Sequence, residues 1–189
     1  SVTADGVTYP LPHPFMLCAT QNPIDFEGTY LLPEAQLDRF MMKIGIGYPD
    51  ADTEKAMLRS HSQGQPAEQL KSVTTMEEIA EIQREVQRVH ISEPLADYLL
   101  EIVRRTREHE DVLLGASPRA SLAFMAAAKA YAYLEERDYV LPDDIKTLAP
   151  FVLEHRILLR PESRLGHRNV SEVLQQILRQ VHVPVAIGR

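Results

Sequence analysis

With 189 residues, 44% of them apolar and 25% charged, the chain has the make-up of a globular domain, or of one domain and a piece of a second, and is too apolar for disorder throughout. Its net charge of −7 provides no general pull toward nucleic acid or an anionic membrane, and no apolar run approaches the ~20 residues of a membrane span. A single cysteine, Cys18, excludes an internal disulfide, and the opening SVTADGVTYP lacks the zones of a signal peptide, so the expected location is the cytoplasm.

In chain order, Asp5-Gly6 lies between two short β-prone runs and predicts a hairpin over residues 1 to 9. FMLCAT (15–20) and MMKIGIG (41–47) are apolar runs of strand length and predict two strands buried on both faces of a parallel sheet. Between them, PEAQLDRF (33–40) predicts a short helix with Pro33 in its first turn. From Tyr48-Pro49 onward the pattern is helix after helix, six in all, beginning with ADTEKAMLRSHS. Thr74 and Glu77 predict a capping box for a helix with Ile79, Ile82, Val86 and Val89 on its apolar face. Ser92 caps the next, with Leu95, Leu99, Ile102 and Val103 inward. In GASPRAS, Ser117 is placed as a cap, Pro118 at the first helical position and Arg119 at the second, ahead of an alanine-rich helix. Pro142 opens another, and Asn169 with Glu172 boxes the last. This divides the chain into an α/β part, residues 1–50, and a helical part, residues 51–189.

Several chemistries are missing. No glycine is followed by lysine, which excludes a phosphate-cradling GxxxxGK[ST] loop within these residues, and no apolar strand ends in Asp-Glu. The seven histidines form no HExxH, Ser117 stands outside a GxSxG elbow, and no metal-ligand cluster is predicted.

Three polar residues stand at junctions. Asn22 follows an apolar run, where an amide at the carboxyl end of a parallel strand would hold a water in line with a phosphate; on local grounds a simple turn before Pro23 is the stronger reading. Arg39 follows the short helix and either points to a neighbour or pairs with Asp38 or Glu34. Arg119 sits in the first turn of a helix, where the macrodipole mildly disfavours a cation and a bound anion would suit it; on local grounds a solvated or salt-bridged arginine is the stronger reading.

The strings ATQNPIDFEGTYLLPEAQLDRF and GVTYPLPHPF, followed by GASPRASL and YVLPDDIKTLAPFVLEHRI, closely resemble the MoxR-like AAA+ ATPases over essentially the whole chain. The resemblance implies the fold: an α/β fragment of a AAA+ core, with a β-hairpin and two parallel-sheet strands, followed by a mostly α-helical lid. It also implies roles: Asn22 as sensor 1, Arg39 as the arginine finger, and Arg119 as sensor 2, reading the γ-phosphate in cis or in trans. ATP and magnesium are the implied cofactors, bound largely by Walker A and Walker B loops that would precede residue 1, so these residues alone are expected not to hydrolyse ATP. Implied partners are further copies in a ring, commonly a hexamer, and clients or proteins with a von Willebrand factor A domain. The implied function is a chaperone-like motor that matures or activates client proteins. Alternatives are a magnesium-chelatase-like motor subunit and a nucleotide-independent helical interaction module. Nucleic-acid binding through the arginines of residues 155–189 is disfavoured, because no aromatic residue lies among them for base stacking.

Overall fold

A computed structural model of the chain describes residues 1–21, 33–61 and 70–184, and divides them into two units, 1–18 with 44–83 and 19–43 with 84–189.

In the first unit, strands β1 (Val2–Ala4) and β2 (Val7–Tyr9) pair antiparallel, Val2 opposite Tyr9 and Ala4 opposite Val7. The turn is the predicted Asp5-Gly6, with φ of 51° and 78°. Two consecutive positive φ values make a mirror-image turn whose twist suits the strands, and Asp and Gly tolerate them best. Helix α2 (Ala51–His61) starts on Asp50, whose carboxylate accepts from the Asp52 and Thr53 amides at 3.0 and 2.8 Å. Helix α3 (Met76–Arg88) has its first turns here and its last in the second unit. Its capping box is one residue later than predicted. Thr75 and Glu78 exchange the two bonds, Thr75 N–H to Glu78 at 2.8 Å and Glu78 N–H to the Thr75 hydroxyl at 3.2 Å. The sequence Thr74-Thr75-Met76-Glu77-Glu78 contains the pattern in both registers, and the helix start at Met76 selects the second. Of the predicted apolar face of α3, Val89, just past the helix, is buried while Ile82 is exposed.

The two runs expected as parallel strands form none among the described residues. Met16 is 82% and Ile46 94% exposed, and neither 15–20 nor 41–47 enters a ladder. A strand exists through bonds to a neighbour about 4.8 Å away, and the described residues supply no such neighbour. The apolar character of the runs was legible, but the ladder was not theirs alone to make.

The core lies in the second unit. Helices α4 (Glu93–Glu108), α5 (Pro118–Leu134), α6 (Pro142–Leu153) and α8 (Val170–Gln180) bury one apolar stripe each: Leu95, Leu99, Ile102 and Val103 from α4, Phe124 from α5, Ile145, Val152 and Leu153 from α6, Val173, Leu174 and Ile177 from α8. The α5 stripe is mostly alanine, Ala120, Ala127, Ala128 and Ala132, all buried, so α4 and α6 approach its backbone closely. Asn169 and Glu172 close the predicted box of α8. At the other predicted start, Arg137 forms a forked pair with Asp144 at 2.7 and 2.8 Å, and Asp144 also accepts the Leu141 amide.

Two features were not anticipated. Strands β3 (Val112–Leu114) and β4 (Leu158–Leu159) form a short antiparallel ladder, and a five-residue helix, α7 (Pro161–Leu165), follows it. Elements of two to five residues are too short to show a period. With α7 the described residues after Pro49 hold seven α-helices where six were expected.

Candidate functional site

The site is built from the loop into α5. Gly115 comes so close to α4 that Ala116 is tied to it twice: its amide donates to the buried Thr106 hydroxyl at 3.0 Å, and its carbonyl accepts from Arg107 Nε at 2.7 Å. This fixes Ser117 and Pro118 at the helix start, as read from GASPR. The Ser117 hydroxyl, however, caps nothing. It lies 3.0 Å from both carboxylate oxygens of Asp38 and donates to them.

Asp38 follows helix α1 (Glu34–Leu37), which turns on the Pro33 carbonyl, an acceptor for the Gln36 and Leu37 amides at 2.8 and 3.1 Å. Two guanidinium groups flank its carboxylate: Arg119 Nη1 at 3.5 Å and Arg156 Nε at 3.8 Å. They differ in environment. The Arg119 side chain is 59% exposed, whereas that of Arg156, in the 3-10 turn Glu154–Arg156 after α6, is 1% exposed. Arg156 Nη2 also donates to the Phe40 carbonyl and, at 3.4 Å, to that of Met41. A further tie comes from the Lys43 amide, which donates to the Phe151 carbonyl at 2.8 Å.

His155 Nε2 lies 3.3 Å from the Phe40 carbonyl and 3.2 Å from Arg156 Nε. One nitrogen cannot donate to the carbonyl and accept from the guanidinium at once, so each tautomer satisfies only one of the two contacts. Burial lowers the His155 pKa below the usual histidine value, only partly offset by the Phe40 carbonyl, so the ring favours its neutral form. Burial also lowers the Arg156 pKa, with Asp38 opposing that shift and Arg119 adding to it.

Of the three residues singled out from the sequence, Arg119 stands at this carboxylate and Arg39 is its chain neighbour. Arg39 is exposed and its amide is bonded to the Gln36 carbonyl at 3.2 Å; the side chain of Glu34, the other partner considered for it, lies outside the described ones. Asn22 lies outside the described residues. The ion pair considered between Arg39 and Asp38 is not formed, because Asp38 is occupied by Ser117, Arg119 and Arg156. Sequence reasoning missed Ser117 as a carboxylate ligand and missed Arg156. The available signal was the setting of Arg156 in FVLEHRILL, a cation flanked by apolar residues. Among the arginines set aside as a nucleic-acid surface, Arg156 is buried, Arg160 donates to the Glu110 carbonyl and Arg168 pairs with Asp111.

The one exposed guanidinium of this cluster, Arg119 in the first turn of α5, suits a phosphate, whereas Arg156 is buried against Asp38. They do not suit a metal, and no group of three or more His, Cys, Asp or Glu residues that would hold one occurs among the described residues.

Two family profiles match. Residues 1–42 match the ATPase family associated with various cellular activities (AAA), and residues 104–177 match the AAA lid domain. The chain is 48% identical to the uncharacterized protein YeaC of Bacillus subtilis over 185 residues, and 36% identical to Chaperone MoxR1 of Mycobacterium tuberculosis over 192. The MoxR-like AAA+ ATPases are the family of this chain. These alignments take in 98% and 97% of it but 58% and 50% of the two relatives, so the chain spans about half the length of the curated relatives it matches. A crystal structure from Cytophaga hutchinsonii, of a protein named an ATPase by inference, superposes with a TM-score of 0.89 at 41% identity, covering 97% of this chain and 58% of that one. In this MoxR-like chain, both profile matches meet at the site: the AAA match contributes Asp38 and Arg39, the lid match Ser117, Arg119 and Arg156. No described helix is long and apolar enough to cross a membrane.

Proposed function

We propose that this chain supplies the sensing and finger residues of a cytoplasmic MoxR-type motor that couples ATP hydrolysis to the remodelling of client proteins within a ring, commonly a hexamer. Asn22 is the sensor 1 residue, Arg39 the arginine finger and Arg119 sensor 2. The observation that carries this reading is the shared carboxylate. Asp38 contacts Arg119 and immediately precedes Arg39, so the two arginines assigned to a phosphate are anchored within one cluster while both keep exposed side chains. Bound ATP and magnesium supply the phosphoryl group and the metal charge that make transfer possible. The chain's own residues bind and orient: Arg119 offers a guanidinium at the start of α5, and Arg39 offers one with no competing partner among the described residues.

An arginine finger acts mainly as charge develops in the transition state. In the full-length protein, Arg39→Ala therefore leaves ATP binding nearly intact and lowers the hydrolysis rate by about 10³-fold or more. Mixed with a partner that keeps Arg39 but lacks a working Walker B glutamate, it regains part of its rate, because some interfaces then join an intact finger to an intact site. A rate equal to the linear sum of the two mutants, with co-assembly proven by sedimentation, would return Arg39 to an ordinary surface cation.

A further inference from the structure

We infer that Asp38 is a positioning residue that holds Arg119 at rest in the place of a phosphate, with Arg156 as its permanent partner, so that Asp38 and a nucleotide polyphosphate compete for one guanidinium. This rests on the reading of Arg119 as a phosphate-facing residue.

The three ligands of the carboxylate differ in whether they are able to leave. Arg156 is 1% exposed and also holds the Phe40 and Met41 carbonyls, so withdrawing it would strand a buried cation. Ser117 is fixed by the loop that Thr106 and Arg107 pin to α4. Arg119 differs from both. Its side chain is mostly in solvent, and its one contact with Asp38, at 3.5 Å, is well beyond the 2.7–2.9 Å of a strong charge-assisted bond. If Arg119 departs, Asp38 keeps the Ser117 hydroxyl, whose one proton is shared between its two oxygens, and the charge of Arg156. The carboxylate therefore survives the exchange, and so does the geometry of the Phe40 carbonyl beside Arg39, which Arg156 holds independently.

A resting pair of this kind opposes ligand binding by its own free energy. For an exposed pair that corresponds to about a two- to fivefold change in affinity. The sign is the opposite of what damage to a site produces.

The experiment measures affinity for a non-hydrolysable ATP analogue in the full-length protein, with melting curves to verify folding. Asp38→Asn, which keeps the shape and still accepts from Ser117, is expected to bind the analogue about two- to fivefold more tightly, and to lower KM for ATP with a smaller change in kcat. In an Arg119→Ala background the gain should vanish, while Asp38→Glu should return affinity toward the native value. Ser117→Ala is the second variant. Its hydroxyl caps nothing, so the helix keeps its start, and loss of the aim it gives Asp38 should shift affinity in the same direction. Unchanged or weaker binding in a folded Asp38→Asn, or in Ser117→Ala should the first not fold, overturns the inference. If Arg119→Ala alone leaves affinity untouched, the phosphate-facing reading fails and takes the inference with it. Weakened binding there without any gain from Asp38→Asn defeats the inference only.

Discussion

Gly115→Ala tests the architecture that delivers Arg119. A Cβ on Gly115 would lie 2.6 Å from the Thr106 carbonyl oxygen and 2.7 Å from both Cα and N of Arg107. All three are backbone atoms in α4, so no flexible tip is available to swing aside. The loop must lift instead. Lifting stretches the 3.0 Å bond from the Ala116 amide to the Thr106 hydroxyl and the 2.7 Å bond from Arg107 to the Ala116 carbonyl, the first of them fully buried. Overpacking of this kind costs about 1–3 kcal/mol, and each buried polar group left unpaired about 1–3 kcal/mol more, with partial relaxation bringing the expected total to roughly 2–4 kcal/mol. At about 2–4 °C per kcal/mol for a chain of this size, the thermal unfolding midpoint followed by circular dichroism should fall by roughly 4–16 °C. Gly166→Ala is the control: the nearest atoms to its Cβ are at 3.4 and 3.6 Å, an ordinary contact, and a change within about 0.5 kcal/mol is expected. A Gly115→Ala protein as stable as the control variant would refute the claim that close approach to α4 sets this loop.

Arg137→Ala should destabilise the lid by about 3 kcal/mol in urea unfolding, because it leaves the 6%-exposed Asp144 carboxylate without its cation. Arg137→Lys should recover only part of this, since an ammonium cannot reproduce the fork. His155 carries a pH dependence: with a folded pKa below the usual 6.5, its contribution is complete above pH 6.5 and is lost as pH falls from there through the folded value, where the unfolded chain takes up the proton first. His155→Gln should therefore flatten that part of the acid limb when urea midpoints are compared at pH 7.5 and pH 5; an unaltered slope would show that burial leaves the ring's proton affinity alone.

What could be read from the sequence follows from the range of the interactions. The Asp5-Gly6 turn and the Asn169–Glu172 box are settled within four residues, and both appear where expected. The inward face of α4 follows from period alone, and the start of α5 follows from Ser117-Pro118. The runs 15–20 and 41–47 enter no ladder among the described residues for the converse reason, since a run such as FMLCAT records apolar character but not what would cover it. Arg119 was singled out by its helix position, which mildly disfavours a cation, with a solvated or salt-bridged arginine as the stronger local reading; that its ion-pair partner is Asp38, 81 residues earlier, is a tertiary fact with no local trace.

The neighbouring pair Asp38-Arg39 shows why such facts stay hidden. Read as a dipeptide, opposite charges side by side suggest a mutual ion pair, yet adjacent residues leaving a helical turn do not face each other. Here they diverge. Asp38 turns into the protein, 24% exposed, toward Ser117, Arg119 and Arg156, while Arg39 remains in solvent. The carboxylate thus serves the arginine beside it without touching it. By fastening residue 38, and through Arg156 the Phe40 carbonyl, the cluster holds the backbone on both sides of Arg39 and leaves only its side chain free. For the finger role proposed for Arg39 this combination matters, because a fixed backbone limits the ordering entropy lost on contact and, among the described side chains, its guanidinium has no resident carboxylate to leave.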